Sequence, residues 1–331
     1  MNTITQSLSK YVSEPLHVGD PDVAGPLAVF PLFGRMVELK FLSFVRGREQ
    51  GVVLREMEGG ASVNDLVVRN TGEVPVLLYE GEEVLGAQQN RTFDVSVLVP
   101  AGEERRVPVS CVEAGRWDSR RHGEEFRSSP QAAYPELRRE KNRHAREFVA
   151  AGMEARADQG QVWADVAQKS ARHGVSSPTG AMHDVYESRR DRLGELAGAV
   201  RRREGQLGAL VAVGGRFAVL DWVGRDHVFA DLFGPLVQGY ALDALEAKDA
   251  PAPSPVDAEG FVDLVLGTDA AGGRSIGLGL DLRFAADGVA GSGLATDGEL
   301  VQLTAFPEDG EINGRSVGAS GRVRRPSQRR R

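Results

Sequence analysis

Ala209-Leu210-Val211-Ala212-Val213-Gly214-Gly215-Arg216-Phe217-Ala218-Val219-Leu220 consists of two apolar runs joined by two glycines. Such runs around Gly-Gly predict an antiparallel hairpin, because glycine supplies the left-handed backbone that a two-residue turn requires. The period then changes. Phe229, Leu232, Phe233, Leu236, Val237, Tyr240 and Ala244 recur at three- and four-residue spacing. That is one apolar stripe of a helix, with Asp226 as its candidate N-cap. A hairpin followed by a helix that must cover it places the chain in the α+β class.

Toward the C-terminus, Pro251, Pro253 and Pro255 punctuate a linker, after which one more helix and an antiparallel meander are expected. The last hairpin turns at Asp297-Gly298. Gly272, Gly273, Gly277 and Gly279 sit with Ile276, Leu278, Leu280 and Leu282 in a strand pattern, where glycine either permits close approach of a ligand or another backbone or marks a bulge.

Toward the N-terminus, residues 15–117 read as β-rich, a sandwich or roll. Phe93, Val95, Val97 and Val99 alternate with Thr92, Asp94, Ser96 and Leu98, the period of a strand with one buried face. Val107, Val109 and Cys111 repeat the pattern beyond a Pro100-Ala101-Gly102 turn, and Leu66–Arg69 and Val74–Leu78 form earlier strands. Residues 118–205 read as helical, anchored by Phe148, Met153, Val162, Trp163 and Val166; Gly174 ends one helix and residues 176–180 break before the next. With residues 206–306 as the strand–helix–hairpin portion, 15–306 is expected to pack as one composite domain. Neither half has enough partner surface to cover its own apolar face. No internal repeat is visible.

Composition bounds the function. The 331 residues carry a net charge of −7, with 40 glycines and one cysteine. A single cysteine excludes an intrachain disulfide framework and multi-cysteine metal sites. No apolar run reaches the ~18 residues of a membrane span, and no secretory leader is visible, so the expected location is the cytoplasm. The helical segment 114–205 holds 18 basic and 14 acidic residues. Its arginines suit either a phosphate-binding face or a solvated, ion-paired helix surface, and the interspersed acids favour the second. Residues 315–331 carry seven arginines and no acid. They belong to an expected disordered basic tail, 307–331, that can attract nucleic acid only weakly and without sequence preference.

No P-loop is present, the glycines do not match a dinucleotide fingerprint, and the six histidines show no paired metal spacing. Cofactor and metal dependence stay open. Cys111 suits either a nucleophile paired with a histidine distant in sequence or an inert buried thiol, and its period-2 placement with Val107 and Val109 favours the second. One region gathers polar groups. Tyr79-Glu80-Gly81-Glu82-Glu83-Val84-Leu85-Gly86-Ala87-Gln88-Gln89-Asn90-Arg91 is followed by Ser110-Cys111-Val112-Glu113-Ala114-Gly115-Arg116-Trp117. At the ends of adjacent strands these groups converge on one rim. There Glu82, Glu83 and Glu113 are candidate catalytic or metal-binding carboxylates. Gln89, Asn90, Arg91, Arg116 and Trp117 are candidate ligand-binding groups, arginine and amide for an anion and the indole for stacking. The bland alternative is a satisfied network, Glu82 or Glu83 with Arg91 and Glu113 with Arg116, that merely staples strand ends.

The string from Gly81 to Arg91, then Val107-Pro108-Val109-Ser110-Cys111-Val112-Glu113 to Arg116-Trp117, together with Asp158-Gln159-Gly160-Gln161-Val162-Trp163, Ser177-Pro178-Thr179-Gly180-Ala181-Met182 and the C-terminal strand–helix–hairpin, resembles the uncharacterised ARG and Rhodanese-Phosphatase-superfamily Associated Protein domain family. The resemblance covers most of residues 15–306. By its name it implies association with ADP-ribosylglycohydrolase-like and rhodanese-phosphatase-like proteins, hence with nucleotide or ADP-ribose chemistry. Two positions depart from the pattern: Gln88 where a lysine is expected and Gln302 where a histidine is expected. If those groups served as electrophile or base, this member binds without turnover. The sequence thus supports a protein that binds or acts on a small polar or anionic ligand of nucleotide or ADP-ribose type. Its rival is a non-catalytic interaction or scaffold module. Neither reading calls for a membrane or sequence-specific nucleic acid.

Overall fold

The computed structural model describes residues 4–57, 62–286 and 288–308. The basic tail from residue 309 therefore lies outside the described residues. Pro307, assigned to that tail from sequence, instead closes the strand Glu299–Pro307, and the Glu308 N–H donates to the Gly288 carbonyl at 2.8 Å.

Antiparallel strands form a ten-stranded sheet. Its order runs Ile4–Ser7, Asp269–Arg274, Leu280–Ala286, Val289–Thr296, Glu299–Pro307, Arg216–Val223, Gly208–Val213, Leu27–Phe33 and His17–Val18, with Asp22–Ala24 also on Leu27–Phe33. The Gly214-Gly215 hairpin forms as expected, both glycines at positive φ. So does the Asp297-Gly298 turn, which joins Thr296 to its register partner Glu299. The helix begins at Asp226 itself, with Arg225 as N-cap, so the aspartate sits one position inside its expected place. Its apolar stripe, from Val228 to Ala244, is buried within one large core shared with the sheet and the helix Pro255–Gly267.

The N-terminal region builds two smaller sheets. One has six strands, ordered Arg127–Ala132, Glu82–Leu85, Arg91–Phe93, Glu104–Cys111, Asp65–Arg69 and Val53–Arg55. The other has three: Val97–Val99, Val76–Leu78 and Leu42–Ser43. The expected single strand over 92–99 is thus two strands in different sheets. The break falls at Asp94-Val95-Ser96, where the Asp94 carboxylate is drawn inward. It accepts from Ser110 Oγ (2.6 Å) and the Ala157 N–H (3.1 Å) and pairs with Lys141 Nζ (3.1 Å). Every residue from Thr92 to Val99 is buried, so the alternation does not mark a one-faced strand.

Helices Pro135–Ala150, Gln159–Arg172, Met182–Ser188 and Arg190–Gly198 fill the middle segment. Val162 and Val166 are buried there, but Met153 is 53% exposed and is no anchor. The strand Arg127–Ala132 was not legible, because Arg-Ser-Ser-Pro-Gln-Ala has little strand propensity; it pairs with Glu82–Leu85 through a bulge. The glycines near 272–279 lie at a strand end and in the following loop. A Cβ on Gly277 would stand 2.1 Å from the Leu98 carbonyl oxygen, and the Leu278 N–H donates to that oxygen at 2.8 Å. Close backbone approach holds, without a continuous strand. The large core joins Leu77, Tyr79, Leu98 and Val112 from the N-terminal region with residues as distant in sequence as Phe306.

Candidate functional site

The two polar strings meet. Arg91 lies opposite Cys111 and Val84 in register, bringing the 81–91 and 110–117 segments side by side. The Asn90 N–H donates to Glu113 Oε2 (3.1 Å), and Gln89 Nε2 to the Glu113 carbonyl (3.2 Å). Arg116 Nη2 donates to Asn90 Oδ1 (3.0 Å) and pairs with Glu113 Oε2 (2.7 Å), while Nη1 reaches the Ala87 carbonyl (2.9 Å). Thr179 Oγ1 completes the Glu113 carboxylate at 3.0 Å. Burial pushes the Glu113 carboxyl up, but Arg116, the Asn90 N–H and Thr179 outweigh it and hold it below the usual range. These groups spend their hydrogen bonds on one another.

Arg91 is different. Its side chain is fully buried, and its carboxylate partner is Glu56 at 3.7 Å, not Glu82 or Glu83 as the staple reading supposed. That distance is too long for a hydrogen bond. Nη1 donates to Gln89 Oε1 (2.9 Å), but Nε and Nη2 have no hydrogen-bond partner, nor do Glu56 Oε1 and Oε2 or Gln88 Oε1. Burial raises the Glu56 pKa and lowers that of Arg91, each opposed by the other's charge. The Gln88 amide donates to His122 Nδ1 (2.9 Å), and the Trp117 ring, 48% exposed, stands over the Arg91 guanidinium at 6.0 Å. Cys111 lies beside Arg91, buried, its thiol pushed up by desolvation, as an inert core thiol should be.

Glu82 and Glu83 are engaged elsewhere, and alternation along Glu82–Leu85 sends them to opposite faces of the sheet. Glu82 Oε2 accepts the Tyr79 N–H (2.8 Å); Glu83 Oε2 accepts Ser129 Oγ (2.7 Å) and Gln131 Nε2 (2.6 Å). Burial lifts both carboxyls to about 8. Gln131 also donates to His183 Nδ1 (2.5 Å), which lies 4.0 Å from Glu83. Among the described residues no cluster of three or more His, Cys, Asp or Glu is placed to hold a metal ion.

One polar group was not legible as a set. Arg283, Ser292, Thr304 and Asp221 are successive register partners across four strands of the large sheet. Asp221 receives a two-pronged Arg138 contact (2.5 and 2.8 Å) and the Tyr79 and Tyr240 hydroxyls (both 2.6 Å). Arg138 overrides the desolvation penalty and keeps the Asp221 pKa low. Ser292 Oγ donates to Glu80 Oε2 (2.7 Å) and accepts from Asn142 Nδ2 (2.9 Å). Gln302, one of the two departures, lies buried beside this row and donates to Thr304 Oγ1 (2.8 Å). The only sequence signal was a polar residue in each of several apolar strands.

The sequence profile of the ARG and Rhodanese-Phosphatase-superfamily-associated Protein domain matches residues 15–306. The chain belongs to this family. Both polar strings and the polar row of the large sheet fall inside the matched ARG and Rhodanese-Phosphatase-superfamily-associated Protein domain, which is an uncharacterised family. Comparison with curated proteins and with solved structures gave no match. No described helix is long and apolar enough to cross a membrane.

Proposed function

We propose that this protein binds a small polar, anionic ligand of nucleotide or ADP-ribose type in the corner formed by Glu56, Gln88, Arg91, His122 and Trp117. The observation that carries the reading is the set of five buried polar atoms, on Glu56, Gln88 and Arg91, that lack a well-formed hydrogen bond within the protein, although Glu56 and Arg91 meet as an ion pair at 3.7 Å and Glu56 also meets the Gln88 backbone N–H. Leaving such a group unpaired costs about 1–3 kcal/mol, more when it is charged, so a fold retains the set where another molecule satisfies it. Arg91 Nε and Nη2 offer donors to a phosphate or carboxylate, and Glu56 accepts from sugar hydroxyls. The half-exposed Trp117 ring offers a base-stacking face. Because the Arg91 and Glu56 side chains are buried, this reading requires Trp117 to move for a ligand to enter. In this reading Gln89 orients Arg91, whereas Glu113, Asn90, Arg116 and Thr179 frame the wall. Glu83, protonated near neutral pH and next to His183, is the candidate acid should a reaction follow; Glu82 supports the backbone turn. The alternative of a non-catalytic module is favoured by the self-satisfied Glu113–Arg116 portion, and it predicts no ligand at all. Residues 315–331 are expected to bind nucleic acid only weakly and without sequence preference. A thermal-shift screen over nucleotides, ADP-ribose, sugar phosphates and divalent metals tests the proposal. It expects a rise in Tm with a nucleotide or ADP-ribose, and silence across the screen supports the module.

A further inference from the structure

The arginine-rich helical segment is mostly the ion-paired surface its composition suggests: Arg143 pairs with Glu140 and Glu147, and Arg121 with Glu124. One place departs from that pattern. A cleft of about 430 Å³ opens between three helix ends. Arg172 and His173 come from the end of Gln159–Arg172, Arg189 and Arg192 from the start of Arg190–Gly198, and Leu245 and Glu246 from the end of Asp226–Ala244.

The lining carries three guanidinium groups against one carboxylate, and that carboxylate is already spent. Glu246 is contacted by Lys169 Nζ (3.0 Å), Arg172 Nε (3.0 Å) and His173 Nε2 (2.8 Å). Lys169 also pairs with Asp243 (2.7 Å) and Glu136 (3.4 Å), and Arg172 pairs with Glu136. Counting these partners, Lys169, Arg172, Arg189 and Arg192 face Glu136, Asp243 and Glu246, leaving one positive charge with His173 neutral. The surplus sits on the Arg189–Arg192 side. Arg189 commits one nitrogen to the His173 carbonyl, and Arg192 has no hydrogen-bond or ion-pair partner among the described residues. Arg189, the N-cap of its helix, makes no side-chain cap bond, so its guanidinium is not spent on its own helix end.

We propose that this cleft is an oxyanion site, separate from the Trp117 corner, that takes the terminal phosphate of a phosphorylated small molecule. Arg189 and Arg192 hold the phosphate oxygens; Arg172, fixed by Glu136 and Glu246, supplies field without moving. Guanidinium forks suit phosphate because two N–H groups meet two oxygens. A 430 Å³ cleft accommodates a nucleotide-sized molecule but is too small to seat a nucleic-acid duplex. The site does not depend on the reading of the Trp117 corner.

The test is calorimetric titration of the full chain with inorganic phosphate and with pyrophosphate at 50 mM salt, repeated with R189A/R192A. Both arginines are at least partly solvent-exposed, so the variant is expected to melt with the parent protein. The expected result is saturable binding that weakens at least tenfold in R189A/R192A. Arg35→Ala, an exposed arginine of the N-terminal region, leaves it unchanged. Absence of binding, binding indifferent to R189A/R192A, or binding only to a polyanion such as duplex DNA overturns the proposal.

Discussion

The Arg91 guanidinium and the Glu56 carboxylate face each other at 3.7 Å, both removed from solvent, and neither completes a hydrogen bond to the other. Opposite charges at that separation stabilise each other, but the geometry leaves donors and acceptors unspent. Replacing Arg91 by Ala strands a buried carboxylate and is expected to cost about 3–5 kcal/mol. R91M/E56Q removes both charges and is expected to be more stable than Arg91→Ala. Urea denaturation of the three proteins measures the difference, and equal losses would show that the two groups are not coupled.

Glu83 gives the pH dependence its sign. Its carboxyl, ordinarily near 4.5, is lifted to about 8 by burial. The folded state therefore holds this proton more tightly than the unfolded chain. The contribution to stability is complete below about pH 4.5 and is lost as pH rises through 8. Glu83→Gln, which mimics the protonated form, is expected to flatten the decline. Glu82, lifted likewise, retains its own share. Denaturation curves at pH 5, 7 and 9 check this; parallel pH profiles for parent and variant would refute it.

Asp221 ties Arg138 from the helix Pro135–Ala150, Tyr79 from the N-terminal region and Tyr240 from the helix Asp226–Ala244 to the large sheet. Asp221→Ala leaves Arg138 buried and uncompensated, with an expected cost of about 3–5 kcal/mol. Because the contacts converge from three parts of the chain, limited proteolysis should become easier throughout 79–240, not only near residue 221. A variant as stable and protease-resistant as the parent would contradict this.

Gly277→Ala tests the contact between the late loop and the strand Val97–Val99. The added Cβ would meet the Leu98 carbonyl at 2.1 Å, so the loop must shift and lose the Leu278–Leu98 hydrogen bond. An expected loss of about 1–3 kcal/mol follows from overpacking. An unchanged Tm would show that the loop accommodates the methyl group.

The sequence was most readable where one physical rule acts alone. Gly214-Gly215 and Asp297-Gly298 turn where positive φ is required, and the Phe229–Ala244 stripe is helical because its period serves a single apolar neighbour. The meeting of the Gln89–Arg91 and Glu113–Arg116 groups was also readable, as strand ends share a rim. Elsewhere tertiary context overrode local pattern. Asp94 breaks an alternating run because Lys141 and Ser110 draw it inward, and Ser-Ser-Pro-Gln becomes a strand because Glu82–Leu85 offers an open edge. Glu56 was missed as the partner of Arg91 because 35 residues separate them and nothing local marks the pair.

Calorimetric titration of the intact protein with ADP-ribose and ADP, beside Trp117→Ala, decides whether a ligand binds beneath the Trp117 ring. Trp117 is half exposed, so its loss should leave the fold intact while removing the stacking face. Saturable binding of at least one of the two ligands by the parent protein is expected, weakened tenfold or more in the variant. No binding by the parent, or binding that the variant retains in full, would contradict a ligand site beneath Trp117.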